Sequence, residues 1–244
     1  MDIFNKYISD AAEILNSVQV TEFKLCGKTC GISDKNTFLM EKDTSVELGG
    51  YPKESVNLCL PTSGLSSTAA FAPGIYCIGD PLLLTSGQKQ LSFGKVVLLE
   101  TDDIPDDKLY DLTQDILMTD SRTYMKDIMV RQSPAHYNID LRVGKKAIAE
   151  GLDLRTMAET IYSRFNSMEN VHAAAVVLLI GDSPVYKKLL PVAERAKELT
   201  ITLNHIFDGF EMDCRSCDFT AICDEVESLR KLHNKSKKRS AELS

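Results

Sequence analysis

The most informative stretch of the sequence is Val171–Pro184, which runs VHAAAVVLLIGDSP. Residues 171–180 form a near-continuous apolar run with the length of one strand, a pattern typical of the middle of a sheet. Residues 181–184 then supply a turn, a capping hydroxyl and a proline at the first helical position. The pattern therefore predicts a buried strand followed by a helix that ends at about Leu199.

The first hundred residues have a different pattern. Apolar side chains at helical spacing predict an amphipathic helix over residues 2–17. Short β-rich runs follow, punctuated by Gly, Pro, Ser and Thr, at residues 18–25, 37–40, 45–48, 55–60 and 95–99. Between them, residues 61–79 are predicted to be a long loop. Residues 1–100 are therefore expected to combine an N-terminal helix with a β-rich region.

From residue 101 the pattern becomes α/β. Residues 106–130 predict one long helix or two consecutive helices, and residues 136–143 alternate like a half-buried strand. Two helices are predicted at residues 145–150 and 154–165, and a last one at about residues 224–232. The expected fold is α/β of mixed α+β type: a mixed sheet with flanking helices, an α/β region over 101–210, and a cysteine-cluster turn, helix and basic tail over 211–244.

Composition and charge narrow the class of protein. The chain has 244 residues, of which 43% are hydrophobic and 26% charged, and its formal charge of −7 argues against a general nucleic-acid binder. The N-terminus lacks the pattern of a secretory signal, and no apolar run has the length of a membrane span. A cytoplasmic protein is expected, in which the seven cysteines are reduced and serve as ligands or core residues.

Three of these cysteines form the strongest motif, Cys214-x2-Cys217-x5-Cys223. A Cys-x2-Cys pair on a turn lets two thiolates converge on one iron–sulfur cluster or one zinc ion, and Cys223 can close around the same centre. A fourth ligand is available in the close pair Cys26 and Cys30, with Cys30 preferred because it lies in a glycine-flanked loop. Spacing alone leaves iron–sulfur and zinc open.

From about residue 45 onward the chain resembles the acetyl-CoA synthase subunit of the carbon monoxide dehydrogenase/acetyl-CoA synthase complex. Val46–Gly50, VELGG, is similar to that family's V-E-F-G-G segment. Tyr137–Ala147, YNIDLRVGKKA, is similar to its Y-D-I-W-C-R-I-S-K-K-A strand. The cysteine turn resembles the start of the family's C-x-x-C segment, whose thiolates hold a cubane cluster. The resemblance implies a [4Fe-4S] cluster here.

The sequence also departs from that family. The later Cys-Gly-Cys segment that helps to hold nickel has no counterpart, and Asp140 stands where the family has a tryptophan linked to coenzyme A. Nickel chemistry is therefore not expected. The resemblance implies a redox or accessory module of anaerobic one-carbon metabolism, with carbon monoxide dehydrogenase or a corrinoid protein as partner.

A second hypothesis concerns the basic residues Arg142, Lys145 and Lys146, which follow one predicted strand. Such a set can hold the phosphates of coenzyme A, and the chain would then be a coenzyme-A- or acyl-binding enzyme with structural cysteines. The competing interpretation is a solvated helix face. A zinc-stabilised scaffold is a third hypothesis. No acid–base pair or nucleophile elbow is recognisable, so no catalytic residue is predicted.

Overall fold

The computed structural model describes residues 3–37, 41–64, 71–103, 105, 108–132, 137–207, 218, 220–226, 229 and 231–232. Its strands are β1 (Val20–Phe23), β2 (Ile32–Ser33), β3 (Ser45–Gly49), β4 (Ser55–Thr62), β5 (Gly74–Ile78), β6 (Gln90–Leu91), β7 (Phe93–Thr101), β8 (Tyr124–Met125), β9 (Ile128–Gln132), β10 (Asp140–Gly144) and β11 (Val171–Ile180). Its helices are α1 (Asn5–Asn16), α2 (Leu109–Ser121), α3 (Lys145–Ala149), α4 (Leu154–Asn166), α5 (Val185–Phe207) and α6 (Thr220–Glu225).

A five-stranded mixed sheet with the order β1-β5-β11-β7-β4 organises the molecule. The predicted strand at residues 171–180 is its central strand, parallel to β5 and antiparallel to β7. A second sheet has the order β6-β3-β10-β9, and β2 pairs with β8. The predicted mixed sheet with flanking helices is confirmed. Both sheets combine strands from residues 1–101 with strands from the α/β region that follows.

Two apolar cores lie on opposite faces of the five-stranded sheet, because alternate residues of β11 point to opposite sides. Ala175, Val177 and Leu179 belong to the first core, which also contains side chains of α1, α5 and α6. We call it the α5-side core. Val176 and Leu178 belong to the second, which contains side chains of α2, α4 and the four-stranded sheet. We call it the α4-side core.

The strand–turn–helix prediction is confirmed, with one correction at its far end. The Ser183 hydroxyl accepts a hydrogen bond from the Val185 backbone N–H at 3.3 Å. Helix α5 ends at Phe207 rather than at about Leu199. It continues because Leu203 and Ile206 extend the same buried stripe into the α5-side core.

Two other predictions are wrong. The predicted loop at residues 61–79 contains β5, whose residues are all buried next to the central strand. The predicted helical stretch 106–130 ends at Ser121, and β8 and β9 follow it. Asp127 has a φ of +62° and turns the chain between these two strands, and β9 then pairs with β10. Tertiary pairing therefore overrides a helical pattern there.

Candidate functional site

The cysteine motif is described in part by the structure. Cys214 and Cys217 lie outside the described residues. Cys223 lies within α6, which begins at Thr220, whereas the sequence predicted a helix from about residue 224. Its side chain is half-buried against the α5-side core, and its thiol is not in a disulfide. Cys223 thus lies beside a packed helix pair, α5 and α6.

The other predicted cysteine pair lies in a loop that α4 holds. Both Glu159 carboxylate oxygens accept from this loop, with Gly27 N at 2.6 Å and Cys26 N at 3.0 Å, and the Cys26 thiol lies 3.2 Å from Oε2. The Cys30 backbone N–H donates to Thr160 Oγ1 at 2.7 Å. Burial raises the pKa of the Cys30 thiol, which is 7% exposed, so the thiol form is favoured.

The carboxylate of Glu159 has opposing influences on its pKa. Burial raises the pKa, but the hydrogen bonds from Cys26 and Gly27 lower it below the ordinary value of a glutamate. A lowered pKa in the folded state contributes stability at pH values above the unfolded pKa of about 4.3, and that contribution is lost as the pH falls through the folded pKa. The hydrogen bonds that hold this loop to Glu159 are therefore expected to weaken when the carboxylate is protonated at acid pH.

Replacing Glu159 with glutamine is expected to lower the free energy of unfolding by about 1.5–3 kcal/mol at neutral pH, because hydrogen bonds to a charged acceptor are lost. Urea denaturation measured from neutral pH to about pH 3 should show the difference from the unmodified protein shrinking below about pH 4.3. The exposed Glu150→Gln is the matched control and should change stability by less than about 0.5 kcal/mol. A Glu159→Gln difference that is constant with pH would contradict the assignment.

Cys30 and Cys223 lie on opposite sides of the five-stranded sheet. Cys30 belongs to the α4-side core, whereas Cys223 packs against the α5-side core. Layers packed on a sheet are separated by about 10 Å, whereas thiolate sulfurs lie about 2.3 Å from their metal. The structure therefore places Cys30 and Cys223 in different cores, and the source of the fourth ligand stays a prediction because Cys214 and Cys217 lie outside the described residues.

The predicted basic set does not converge on one point. Arg142 contacts the Glu47 carboxylate through Nη2 at 2.6 Å and Nε at 2.9 Å, and its side chain is 11% exposed. Lys145 donates to the Asp43 carbonyl at 2.7 Å. The Lys146 ammonium is 3.8 Å from Glu150 and largely exposed. A phosphate would have to displace Glu47 from Arg142, so this geometry does not favour the coenzyme A hypothesis.

Sequence reasoning missed a buried ion pair at the end of the sheet. The Lys95 ammonium, on β7, contacts the Asp120 carboxylate, on α2, and their side chains are 4% and 1% exposed. The Asn57 side-chain amide donates to the other Asp120 oxygen at 3.2 Å. A lysine at the start of the apolar run KVVLL (residues 95–99) was the available signal, because lysines are rarely fully buried without a partner.

A cleft of about 210 Å³ opens beside this pair along the outer edge of β4. Helices α2 and α5 and Tyr137 form its walls, and the Lys197 ammonium lies 4.8 Å above the centre of the Tyr137 ring. Cys59 lines the cleft. Desolvation, and secondarily the charge of Asp120, raise the pKa of its thiol well above the ordinary value. Cys59 is therefore a neutral lining group rather than a nucleophile.

Within the described ranges, no helix combines the length and apolar character that a membrane span requires. No set of three or more His, Cys, Asp or Glu side chains in that same part of the chain is placed to hold a metal ion. The chain matches no protein-family model and no curated protein.

Proposed function

We propose that this chain is an iron–sulfur protein that acts as a redox or accessory module. The observation that carries the proposal is the motif Cys214-x2-Cys217-x5-Cys223, three thiols within ten residues. Thiolates at such spacing are the ordinary ligands of [4Fe-4S] clusters. Zinc uses the same donors and is the alternative metal.

The surroundings of Cys223, the motif cysteine that the structure describes, suit a cluster ligand. Cys223 is half-buried, and its helix α6 packs against α5. Partial burial matters because solvent exposure and the polarity around the sulfurs tune the reduction potential of a cluster. A site beside a packed helix pair would therefore be partly shielded from water while remaining near the surface.

The ligand set has three cysteines and one open position. Since Cys30 belongs to the α4-side core and Cys223 packs against the α5-side core, we propose that the fourth ligand comes from another group or from solvent. A cluster with a free corner can bind a substrate or a second metal, whereas a cluster with four protein ligands lacks that open position. This point separates two forms of the proposal, a ligand-binding cluster and an electron carrier.

The resemblance to acetyl-CoA synthase supports a proposed role in anaerobic carbon monoxide or one-carbon metabolism. An accessory role is proposed over acetyl-CoA synthesis by this chain alone, because Asp140 stands where that family has a tryptophan linked to coenzyme A. Its proposed partners are carbon monoxide dehydrogenase or a corrinoid methyl-transfer protein. The coenzyme-A-binding enzyme is not carried further, since no described contact favours it.

The proposal is tested by purifying the protein without oxygen and measuring iron, sulfide, zinc and nickel. We expect about four irons and four sulfides per chain, no nickel, and a broad absorption at about 400 nm. Cys214→Ser and Cys223→Ser should each remove most of the iron and the absorption. Stoichiometric zinc without iron would show a structural metal site instead.

Cysteine variants outside the motif provide the control. Cys26→Ser and Cys30→Ser should retain the iron content of the unmodified protein, because these residues lie on the far side of the sheet. Loss of iron in either variant would restore this pair as ligands. Folded protein that contains no metal, although never exposed to air, would contradict the whole proposal.

A further inference from the structure

The cleft beside β4 exposes the backbone of an edge strand. Strand β4 is the last strand of the five-stranded sheet and pairs only with β7 among the described strands. The Glu54 carbonyl accepts from Phe93 N–H, toward β7, at 3.1 Å, whereas the Asn57 N–H donates outward to the Tyr137 carbonyl at 2.8 Å. Because backbone groups alternate along a strand, the N–H and C=O of Cys59 point outward into the cleft.

The wall of the cleft offers hydrogen-bond donors beside two acceptors, the Cys59 carbonyl and the Thr200 hydroxyl oxygen. The Asn204 Oδ1 atom accepts a hydrogen bond from Gln114 Nε2 at 2.8 Å. The N–H groups of the Asn204 side chain, which lines the cleft, are not used in that bond. Cys59 adds its backbone N–H, and Lys197 adds an ammonium at the Tyr137 end. A surface that offers donors selects a ligand that carries acceptor oxygens.

The charges around the cleft favour a ligand with a negative charge. Among the described side chains that line the cleft, Lys197 alone is charged, although the chain as a whole carries a formal charge of −7. The nearest buried carboxylate, Asp120, is already bound by Lys95 and Asn57. An anion in the cleft therefore meets a cation and donors without facing an unpaired carboxylate.

The remaining lining is apolar and small. Leu58, Leu60, Leu117 and Ile201 contribute aliphatic surface, and Ala193 and Ala196 leave the space between α5 and β4 open. The volume of about 210 Å³ corresponds to about seven water molecules at roughly 30 Å³ each. The size matches a ligand with one polar end and a short hydrocarbon body.

We propose that this cleft binds a small monocarboxylate with a short apolar body. Lys197 and the donors of Cys59 and Asn204 hold the carboxylate, and the aliphatic walls hold the chain. Nothing in this assignment depends on the proposed cluster, since none of the lining residues belongs to the cysteine motif. The two proposals can therefore fail separately.

The test is a titration of anaerobically purified, ¹⁵N-labelled protein with hexanoate, followed by amide chemical shifts and calorimetry. Hexanamide is the neutral ligand of equal size, and acetate is the short one. We expect hexanoate to shift the amide signals of Cys59, Thr200 and Asn204, and to bind at least about tenfold more tightly than hexanamide. Acetate should bind more weakly than hexanoate because it leaves the apolar walls uncovered.

Two variants and one control locate the site. Lys197→Met keeps the aliphatic stem and is expected to weaken hexanoate binding about tenfold without affecting hexanamide. Thr200→Leu fills part of the cleft, and since the Thr200 hydroxyl bonds to the Ala196 carbonyl of its own helix, no partner elsewhere is lost. It should weaken both ligands. Lys188→Met, an exposed lysine on the same helix, is the matched control and should bind as the unmodified protein does.

Several results would overturn the proposal. Equal binding of hexanamide and hexanoate would remove the role of charge, and equal losses in Lys188→Met and Lys197→Met would show general electrostatic attraction. Shifts confined to residues outside the cleft, or no shifts at millimolar hexanoate, would remove the site itself. The metal content of the same preparation, measured in parallel, reports on the proposed cluster independently.

Discussion

Replacing Asp120 with alanine is expected to lower the free energy of unfolding by about 3–5 kcal/mol, one of the largest effects of any single substitution in this chain. The Lys95 ammonium is almost fully buried and contacts Asp120 directly, so the substitution leaves a cation without its counter-ion inside the protein. The Asn57 side chain loses an acceptor as well. Urea denaturation followed by circular dichroism measures the change.

Two further variants separate the buried charge from loss of side-chain packing. Asp115→Ala removes an exposed carboxylate from the same helix and should change stability by less than about 0.5 kcal/mol. The double variant Lys95→Met, Asp120→Leu removes both charges and fills the space with apolar groups. It should recover most of the loss, because a buried ion pair is often no more stable than a well-packed apolar pair. A double variant as unstable as Asp120→Ala would contradict this explanation.

The sequence predicted those elements whose pattern is long and regular. The central strand, α1 and α4 each carry an apolar period over ten residues or more, and their positions are correct within a few residues. Strand β5 has only five residues between Gly74 and Ile78, too few for a period to stand out among the neighbouring glycines and prolines. Its burial comes from pairing with β11, about a hundred residues later in the chain.

Prediction of the candidate metal site from the sequence has a similar limit. Local spacing predicts that Cys214, Cys217 and Cys223 form one ligand group, because ligands that are close in sequence can be predicted without knowledge of the fold. Whether Cys30 can reach them depends on which face of the sheet each segment covers. That depends on the course of the whole chain, and a one-residue change in strand register would exchange the faces.

The buried pair shows why some groups are recognised only in the structure. Lys95 and Asp120 are ordinary residues of a strand and a helix, and 25 positions separate them. In the sequence, Lys95 stands out as a charged residue in an apolar run. The sequence does not show which acidic residue is its counter-ion. The cleft follows from the same packing, since α2 must approach β4 for Asp120 to reach both Lys95 and Asn57.

Replacing Gly49 with alanine is expected to lower the free energy of unfolding by about 3–5 kcal/mol, the second large effect. Gly49 ends β3 with a φ of +73°, and a Cβ atom there would lie 2.2 Å from the Ile139 carbonyl oxygen. Backbone atoms next to the β3–β10 pairing would have to shift, because Gly49 lies opposite Asp140.

Gly27 provides a matched comparison for this substitution. Its φ is +70°, nearly that of Gly49, but no atom outside its immediate neighbours lies within 4 Å of an added Cβ. Gly27→Ala should therefore cost only the conformational term of about 1–2 kcal/mol, and its N–H remains available to Glu159. Denaturation of both variants under the same conditions isolates the contact with Ile139. If the two substitutions cost the same, the close approach of β3 to Ile139 would not be a property of the folded protein.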